Sequence, residues 1–526
     1  MIRQFPLSPA AVALKDQSAF GRNSLPYLTV ALFILAALIG YECTFPALVF
    51  PWDDAYIVIH NAQALLSGRD VNYPGASPLT GATSVVHLAF VSALMLFFSP
   101  LTALAVSLWI SALAYSLGLV RLARVNGACR VTSVLVAVLG LTVGETAFQL
   151  LNGLETGMVL AAVTWALTLL SGPERIPGRV LPALCGTLPF IRPDLLPLAL
   201  LFLGLQAARH WRMRLDRADF LRRAGCDLAI ACLFALPWMV WTWTGDKSVF
   251  PATINAKRFF FAQSGWPASV KADTVARGLA QFEDDLGLTT IFALFLVFTG
   301  ISRAGLAFAG VLFLAYFAQF PTAVGSYGGR YLFPLLPFVL LGTVYALGQT
   351  RPLLRLGSAF VFALSLGQSL LGLSHCYAQY QTSCRSTVDN LEGVADWCNQ
   401  NLPANSVLLI HDAGYISCRT RFPLVDLVGL KTPSSIAYHE RLTFPSSGKD
   451  RFEAISEIAL RGQVTDLVVL DGWDHDFSIV DGLKAAGWNV RPLSSKFIYK
   501  VYALRPPFVH ANAKSLPLRG NKKQSV

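Results

Sequence analysis

Long apolar stretches separated by short polar loops run through roughly the first two thirds of the chain. They fall near 27–46, 82–98, 101–120, 131–151, 154–171, 180–207, 226–244, 286–302, 305–321, 331–349 and 354–373. Most have the roughly 17–25 residues that a helix needs to cross a bilayer core. Beyond residue 375 the pattern changes. SVLLIHDAG (406–414) and VTDLVVLDGW (464–473) read as short buried strands entering turns. Helix-like DNLEGVADWCNQN (389–401) and DRFEAISEIALRG (450–462) precede them. Helix alternating with strand predicts a small α/β layer. The expected fold class is therefore an α-helical multi-pass membrane protein with a C-terminal soluble α/β domain. The expected division is 1–374 for the membrane domain, 375–510 for the α/β domain and 511–526 for a disordered basic tail.

Charge fixes the expected topology. Only 14% of residues are charged, against about 25% in soluble domains. The net charge of +11 could suggest nucleic acid, but Lys and Arg sit mostly in short loops between apolar runs, as positive-inside topology requires. No basic stretch carries interleaved aromatics, so nucleic acid is excluded as a partner and membrane lipid is expected. Residues 1–26 are polar and basic, and the run 27–46 lacks a small-x-small cleavage site, so it reads as a retained anchor. With the N-terminus in the cytoplasm, the loop after it lies outside. The next basic cluster is Arg121, Arg124 and Arg130. Only one crossing can separate the two, so one of 82–98 and 101–120 does not span; 82–98 is the shorter and carries His87. Segment 180–207, broken by Pro189, Pro193 and Pro197, must return to the basic loop 209–223, so it reads as a hairpin with Arg192 and Asp194 at its outer turn. Loop 245–285 and GGRYLFP (328–334) then fall outside. Charge counting gives about 11 crossings with the C-terminal domain exported.

Nine cysteines are present. Cys43, Cys129, Cys185, Cys226 and Cys232 lie in or beside apolar runs. Cys376, Cys384, Cys398 and Cys418 fall in the exported part, where disulfides persist. Sequence separation favours Cys376–Cys384 and Cys398–Cys418. No CxxC or HExxH metal spacing is visible.

On this topology the unusual polar residues collect on the outer side: Asp53, Asp54, His60, Glu155, Arg192, Asp194, Lys257, Arg258 and Arg330, with Tyr331 beside the last. Carboxylates at a membrane surface are costly and usually functional. A carboxylate can deprotonate a hydroxyl as it attacks an anomeric carbon, while Arg and Lys grip a phosphate. Each residue also has a plainer reading. Asp53 or Asp54 could cap the helix AYIVIHNAQALL. Glu155 could be a first-turn helix residue. Arg192 and Arg330 could anchor helix ends at headgroups, Lys257 and Arg258 could contact anionic lipid, and His60 and His87 could be structural. Their shared side raises the functional reading over any single residue.

The motif DDAYI…LLSGRDVNYPGASPLTGATS (53–84) resembles the first outer loop of GT-C-type glycosyltransferases that use polyprenyl-phosphate sugars, near the bacterial arabinofuranosyl- and mannosyltransferase-like group. GLET (153–156), IRPD (191–194), PATINAK (251–257), GGRYLFPLLP (328–337) and HDAGYIS…FPLVDLVGL (411–430) resemble its later motifs in order. The resemblance covers roughly 27–430, and ASPLTGATS departs from the usual step before the TSPL-like helix. It implies an inverting glycosyltransferase of the bacterial inner membrane, acting on the outer face. The sugar would pass from a polyprenyl monophosphate to a glycan, lipid or protein acceptor of the cell envelope. Asp53 and Asp54 would hold the catalytic base, with the motif favouring Asp53. Arg192, Lys257 and Arg330 would bind the donor phosphate and Glu155 would position substrate; Asp194, Arg258, Tyr331 and His60 complete the candidate binding residues. No cofactor is implied beyond a possible divalent cation. The alternatives are a transporter or flippase, which predicts mid-membrane polar groups and an internal repeat, and a non-catalytic binder of a lipid-linked sugar.

Overall fold

The computed structural model describes residues 48–172, 179–213, 216–298 and 300–507, with Ala37, Ile39, Gly40 and Glu42 ahead of them. The first apolar run (27–46) falls almost wholly outside the described residues, as do Cys43 and the basic tail 511–526.

Among the described residues five helical stretches are long and apolar enough to cross a membrane: Pro100–Val125, Arg217–Asp246, Gly300–Gln319, Ser326–Leu347 and Pro352–Asn401. Val85–Leu94, Arg130–Thr142, Thr156–Ser171 and Val180–Ile191 are apolar but shorter. Two kinds of helix are present. Pro100–Val125 is packed on most sides, with Leu104, Leu108, Tyr115, Leu119 and Leu122 almost fully buried. Arg217–Asp246 and Pro352–Ser386 instead turn Leu228, Leu233, Phe234, Leu353, Leu356 and Leu371 outward. Apolar side chains facing out over whole helices suit lipid as the solvent.

The helix breaks follow local chemistry. Ser99 accepts from the Thr102 N–H, and Pro100 takes the first helical position, where its missing N–H costs nothing. Val85–Leu94 has 10 residues; at 1.5 Å per residue it extends about 15 Å, half a bilayer core. The run 180–207 is two helices, Val180–Ile191 and Leu196–Arg212, with Arg192 extended between them (φ −157°, ψ 129°). The following proline disfavours the helical region there. The run 131–151 is also interrupted, because Arg130–Thr142 ends before Gly144 (φ 54°) and a short helix restarts at Thr146–Leu151.

The C-terminal part is a five-stranded sheet in the order β2-β1-β3-β5-β4. Its strands are β1 (Leu408–Ile410), β2 (Leu424–Asp426), β3 (Asp466–Leu470), β4 (Asn489–Ser494) and β5 (Tyr499–Arg505). β1 runs parallel to β2 and β3, whereas β5 is antiparallel to β3 and β4. Strands β1 and β2 are buried throughout, as parallel strands covered on both faces must be. Helix Arg451–Arg461 packs Ala454, Ile455, Ile458 and Ala459 against this core.

Several contacts tie this domain to the membrane part. The Leu424 N–H donates to the Asn72 carbonyl (2.9 Å), so the loop after helix Asp53–Ser67 covers the β2 edge. Lys431 is fully buried, its Nζ 2.5 Å from Asn61 Oδ1 and 3.2 Å from Asp70 Oδ2. Arg451 donates from Nε to the Phe260 carbonyl (3.0 Å) at the end of helix Thr253–Phe261.

The disulfide expectation is corrected. No disulfide joins the described cysteines. Cys376 and Cys384 lie on one continuous helix, Pro352–Ser386; eight residues separate them by about 12 Å along the axis, beyond the Cα separation of about 7 Å that a bridge tolerates. Cys384 donates to the Val49 carbonyl and Cys418 to the Tyr56 carbonyl. Peptide mapping without reductant should find Cys376, Cys384, Cys398 and Cys418 all as thiols; a Cys398–Cys418 cross-linked peptide would contradict this packing.

Candidate active site

Helix α1 (Asp53–Ser67) begins at the two adjacent carboxylates. Asp53 does not cap its own helix. Its Oδ2 accepts the Gly414 N–H and its Oδ1 the Tyr415 N–H, both at 2.7 Å. The turn after β1 therefore sits on the start of α1. Gly414 is required there, because a Cβ would run into the Asp53 backbone carbonyl. Burial and the neighbouring Asp412 carboxylate push the Asp53 pKa well above the usual carboxylate range, against the pull of the two N–H bonds. Asp54, on the next residue, carries no hydrogen bond from the described residues and faces the cavity freely.

That cavity lies between the start of α1, the turn at Tyr327 and the C-terminal domain. Asp53, Asp54, Lys257 and Tyr331 line it, with Tyr327, Phe261, Phe320, His411, Asp412 and Trp473. Lys257 reaches it from helix Thr253–Phe261, its Nζ 6.0 Å from the Tyr327 ring centre. Tyr327 is delivered by an unusual turn. Tyr327, Gly328 and Gly329 are consecutively left-handed, with φ of 53°, 63° and 67°. A non-glycine residue there is strained, and such strain clusters at functional sites. Gly328 tolerates the left-handed turn, with the Glu145 carboxylate against it.

Behind Tyr327 and Tyr331 lies a buried ionic network. Arg330 Nη2 donates to Glu155 Oε1 at 3.0 Å. Arg192 forks onto Asp194, with Nε–Oδ1 at 2.7 Å and Nη2–Oδ2 at 2.9 Å. Its Nη1 reaches the Arg330 carbonyl (3.3 Å), and the Tyr316 hydroxyl donates to Asp194 (3.0 Å). The Tyr331 ring lies 5.3 Å from the Arg192 guanidinium and 5.1 Å from that of Arg330. Each Arg192 nitrogen meets a protein acceptor. Arg330 differs. It is 3% exposed, yet its Nε and Nη1 have no hydrogen-bond partner among the described residues. Headgroup anchoring does not suit a guanidinium buried this way.

Two candidates stand apart from the cavity. His60 lies two turns down α1 from Asp53, with Nε2 3.3 Å from Asn72 Oδ1 and 3.4 Å from Asp70 Oδ1. Burial first, then the nearby Lys431 ammonium, lower its pKa to about 4. It belongs to the docking contact around Lys431. Arg258 lies over Phe259 and Phe444, at 5.5 and 5.2 Å, and so contacts the C-terminal domain. His87 is likewise buried, against Ser107 (3.3 Å). Sequence reading missed Tyr327, His411, Asp412 and Trp473 as lining residues, though HDAG and GGRY stood among the motifs. Among the described residues no group of three or more His, Cys, Asp or Glu side chains is arranged to hold a metal ion.

Comparison with known proteins bears on this arrangement at two levels. A family model described as a domain of unknown function (DUF8728) matches residues 377–511. No curated protein matches the chain in sequence. Among solved structures, ArnT from Cupriavidus metallidurans bound to undecaprenyl phosphate aligns over 92% of this chain and 98% of its own, with TM-score 0.52 and 13% identity. Its apo form gives TM-score 0.51 and 12% identity over 91% and 98%. The oligosaccharyltransferase of Archaeoglobus fulgidus in the apo form aligns over 93% of this chain and 76% of its own, with TM-score 0.48 and 12% identity. The chain therefore shares its fold with these ArnT structures: a part built of long apolar helices followed by a small domain built on a sheet.

Proposed function

We propose that this protein is an inverting glycosyltransferase that takes a sugar from a polyprenyl monophosphate and passes it to a cell-envelope acceptor on the outer face of the inner membrane. The observation that carries the reading is Arg330. A buried guanidinium with two donors unpaired among the described residues, behind a cavity lined by Asp53, Asp54 and Lys257, is poised for an anion next to a base. Unpaired buried donors are costly, and a bound phosphate satisfies them. In the proposed step Asp54 accepts the proton of an acceptor hydroxyl as its oxygen attacks the anomeric carbon. The bond from that carbon to the phosphate oxygen breaks on the opposite face, so configuration inverts. The polyprenyl phosphate leaves with the electron pair, its charge met by Arg330 and Lys257. Asp53 supports the site by fastening the C-terminal domain, and Glu155, Arg192 and Asp194 hold Arg330 and Tyr331 in place. If a divalent cation takes part, Asp54 and Asp412 are the carboxylates with unengaged oxygens at the cavity.

Deletion of the gene tests this directly. A polyprenyl-phosphate sugar should accumulate and an envelope glycan should lose that sugar, both restored by the wild-type protein but not by Asp54→Asn. Restoration by both Asp54→Asn and Asp53→Asn would leave a binder or flippase in its place.

The proposed placement divides the chain at 1–374, 375–510 and 511–526, with about 11 crossings and a cytoplasmic N-terminus by charge counting. Single-cysteine labelling should reach residues 51–80, 245–285 and 375–507 from outside only, and 209–223 from inside only. A cytoplasmic signal from a reporter fused near residue 450 would refute both the orientation and the composite cavity.

A further inference from the structure

The C-terminal domain does more than cover the cavity. Residues His411 and Asp412 leave β1 directly into it. The Asp412 side chain is 22% exposed. Its Oδ2 accepts the Tyr499 hydroxyl of β5, and His411 Nε2 lies 3.3 Å from the same oxygen. His411 is in turn packed between Trp473 (4.5 Å) and Tyr499 (6.0 Å). One carboxylate oxygen is thus held by the domain. The other, Oδ1, receives no hydrogen bond from the described residues, although the residue lines the cavity. A carboxylate fixed through one oxygen with the other presented to a cavity is an acceptor for a ligand's O–H groups.

The rest of the cavity narrows the ligand. Asp53 and Asp54 stand on the membrane-domain side and Asp412 on the other. Lys257 and Arg330 are already taken by the donor phosphate in the function proposed above. What faces the acceptor is therefore carboxylate on both sides. An acceptor carrying its own negative charge meets like charges at short range, and that juxtaposition selects against it. A neutral, hydroxyl-rich acceptor instead supplies donors to the carboxylate oxygens that stand open at the cavity.

We propose that Asp412, contributed by the C-terminal domain and held by Tyr499, is an acceptor-binding residue of the same site, and that the acceptor is the neutral end of a glycan. Asp412 takes a hydrogen bond from one acceptor hydroxyl while a neighbouring hydroxyl is presented to Asp54. Tyr499 is a positioning residue acting through Asp412. This inference rests on the transferase reading.

The test uses the full-length protein in nanodiscs. The donor is the polyprenyl-phosphate sugar that accumulates in the deletion strain. The acceptor is that strain's envelope glycan, split by anion exchange into neutral and anionic fractions. Wild-type protein should label the neutral fraction. Asp412→Asn should raise the acceptor KM about tenfold, in line with loss of a charge-assisted hydrogen bond, with the donor KM unchanged. Tyr499→Phe keeps the charge and should raise the acceptor KM severalfold, again without moving the donor KM. If Asp412→Asn also loses binding of undecaprenyl phosphate, the fold has been disturbed and Tyr499→Phe decides. An unchanged acceptor KM in both variants, or labelling of the anionic fraction in preference, overturns the inference while leaving the transferase standing. No transfer to either fraction by wild-type protein overturns the transferase reading and this inference together.

Discussion

Asp54→Asn should lower sugar transfer by at least about 100-fold, the contribution of a positioned general base, with no loss of stability. Asp54 carries no hydrogen bond from the described residues, so the amide breaks nothing. Asp53→Asn should behave differently. Both Asp53 oxygens hold backbone N–H groups of the C-terminal domain, at Gly414 and Tyr415. An amide turns one of these contacts into N–H facing N–H and removes the charge from the other. Hydrogen bonds to charged groups contribute roughly 1.5–3 kcal/mol, so Asp53→Asn should loosen the docked domain as well as slow transfer. Limited proteolysis and the melting temperature separate the two. The Asp54→Asn variant should cleave and melt as wild type does, whereas the Asp53→Asn variant should cleave faster and melt lower. The motif alone favours Asp53 as the base, and the reverse result, an active Asp54→Asn and a stable but inactive Asp53→Asn, would restore that assignment. Full activity in both removes the base from this pair altogether.

Motif and geometry part company here for a physical reason. Adjacent carboxylates after an apolar run mark a functional surface, because membranes tolerate them poorly. Which of the two is engaged depends on a turn 361 residues later, and local pattern has no access to that. The same holds for Lys431. In the sequence it is one lysine after a buried strand. In the fold it is a fully buried ammonium between Asn61 and Asp70, and it accounts for His60, which shares α1 with Asp53 and Asp54 without belonging to the site. Helix breaks are more legible, since they are set locally. Pro193 forces Arg192 into an extended conformation, and the hairpin between Val180 and Arg212 follows. Strands β1 and β3 stand out as buried apolar runs, but β2, β4 and β5 do not. β4 carries Pro492 and none of its six positions is buried. The disulfide expectation fails for a related reason. The helix beginning at Pro352 runs on to Ser386 and separates the two cysteines along its length, a continuity that sequence separation does not register.

Arg330→Ala should raise the donor KM about 10- to 100-fold, the equivalent of losing a charge-assisted contact of roughly 1.5–3 kcal/mol to a phosphate. Burial complicates the measurement. The Arg330 and Glu155 side chains are 4% and 6% exposed and paired at 3.0 Å, and deleting one partner of a buried ion pair costs roughly 3–5 kcal/mol of stability because the other is left uncompensated. A drop in activity on its own therefore says little. Glu155→Gln supplies the comparison, because it weakens the pair yet leaves the Arg330 Nε and Nη1 donors in place. If those donors bind phosphate, Glu155→Gln should lose stability while keeping most of its affinity for undecaprenyl phosphate. Arg330→Lys should show the opposite balance. It keeps a cation beside Glu155 and so much of the stability, but a single ammonium cannot replace the planar fork, and the donor KM should recover only in part. If undecaprenyl phosphate binding instead follows stability through all three variants, Arg330 is a structural ion-pair partner and the phosphate contact passes to Lys257, which a separate helix brings to the cavity. Lys257→Ala, at a residue that lines the cavity and forms no ion pair among the described residues, then gives the larger rise in donor KM with the smaller loss of stability.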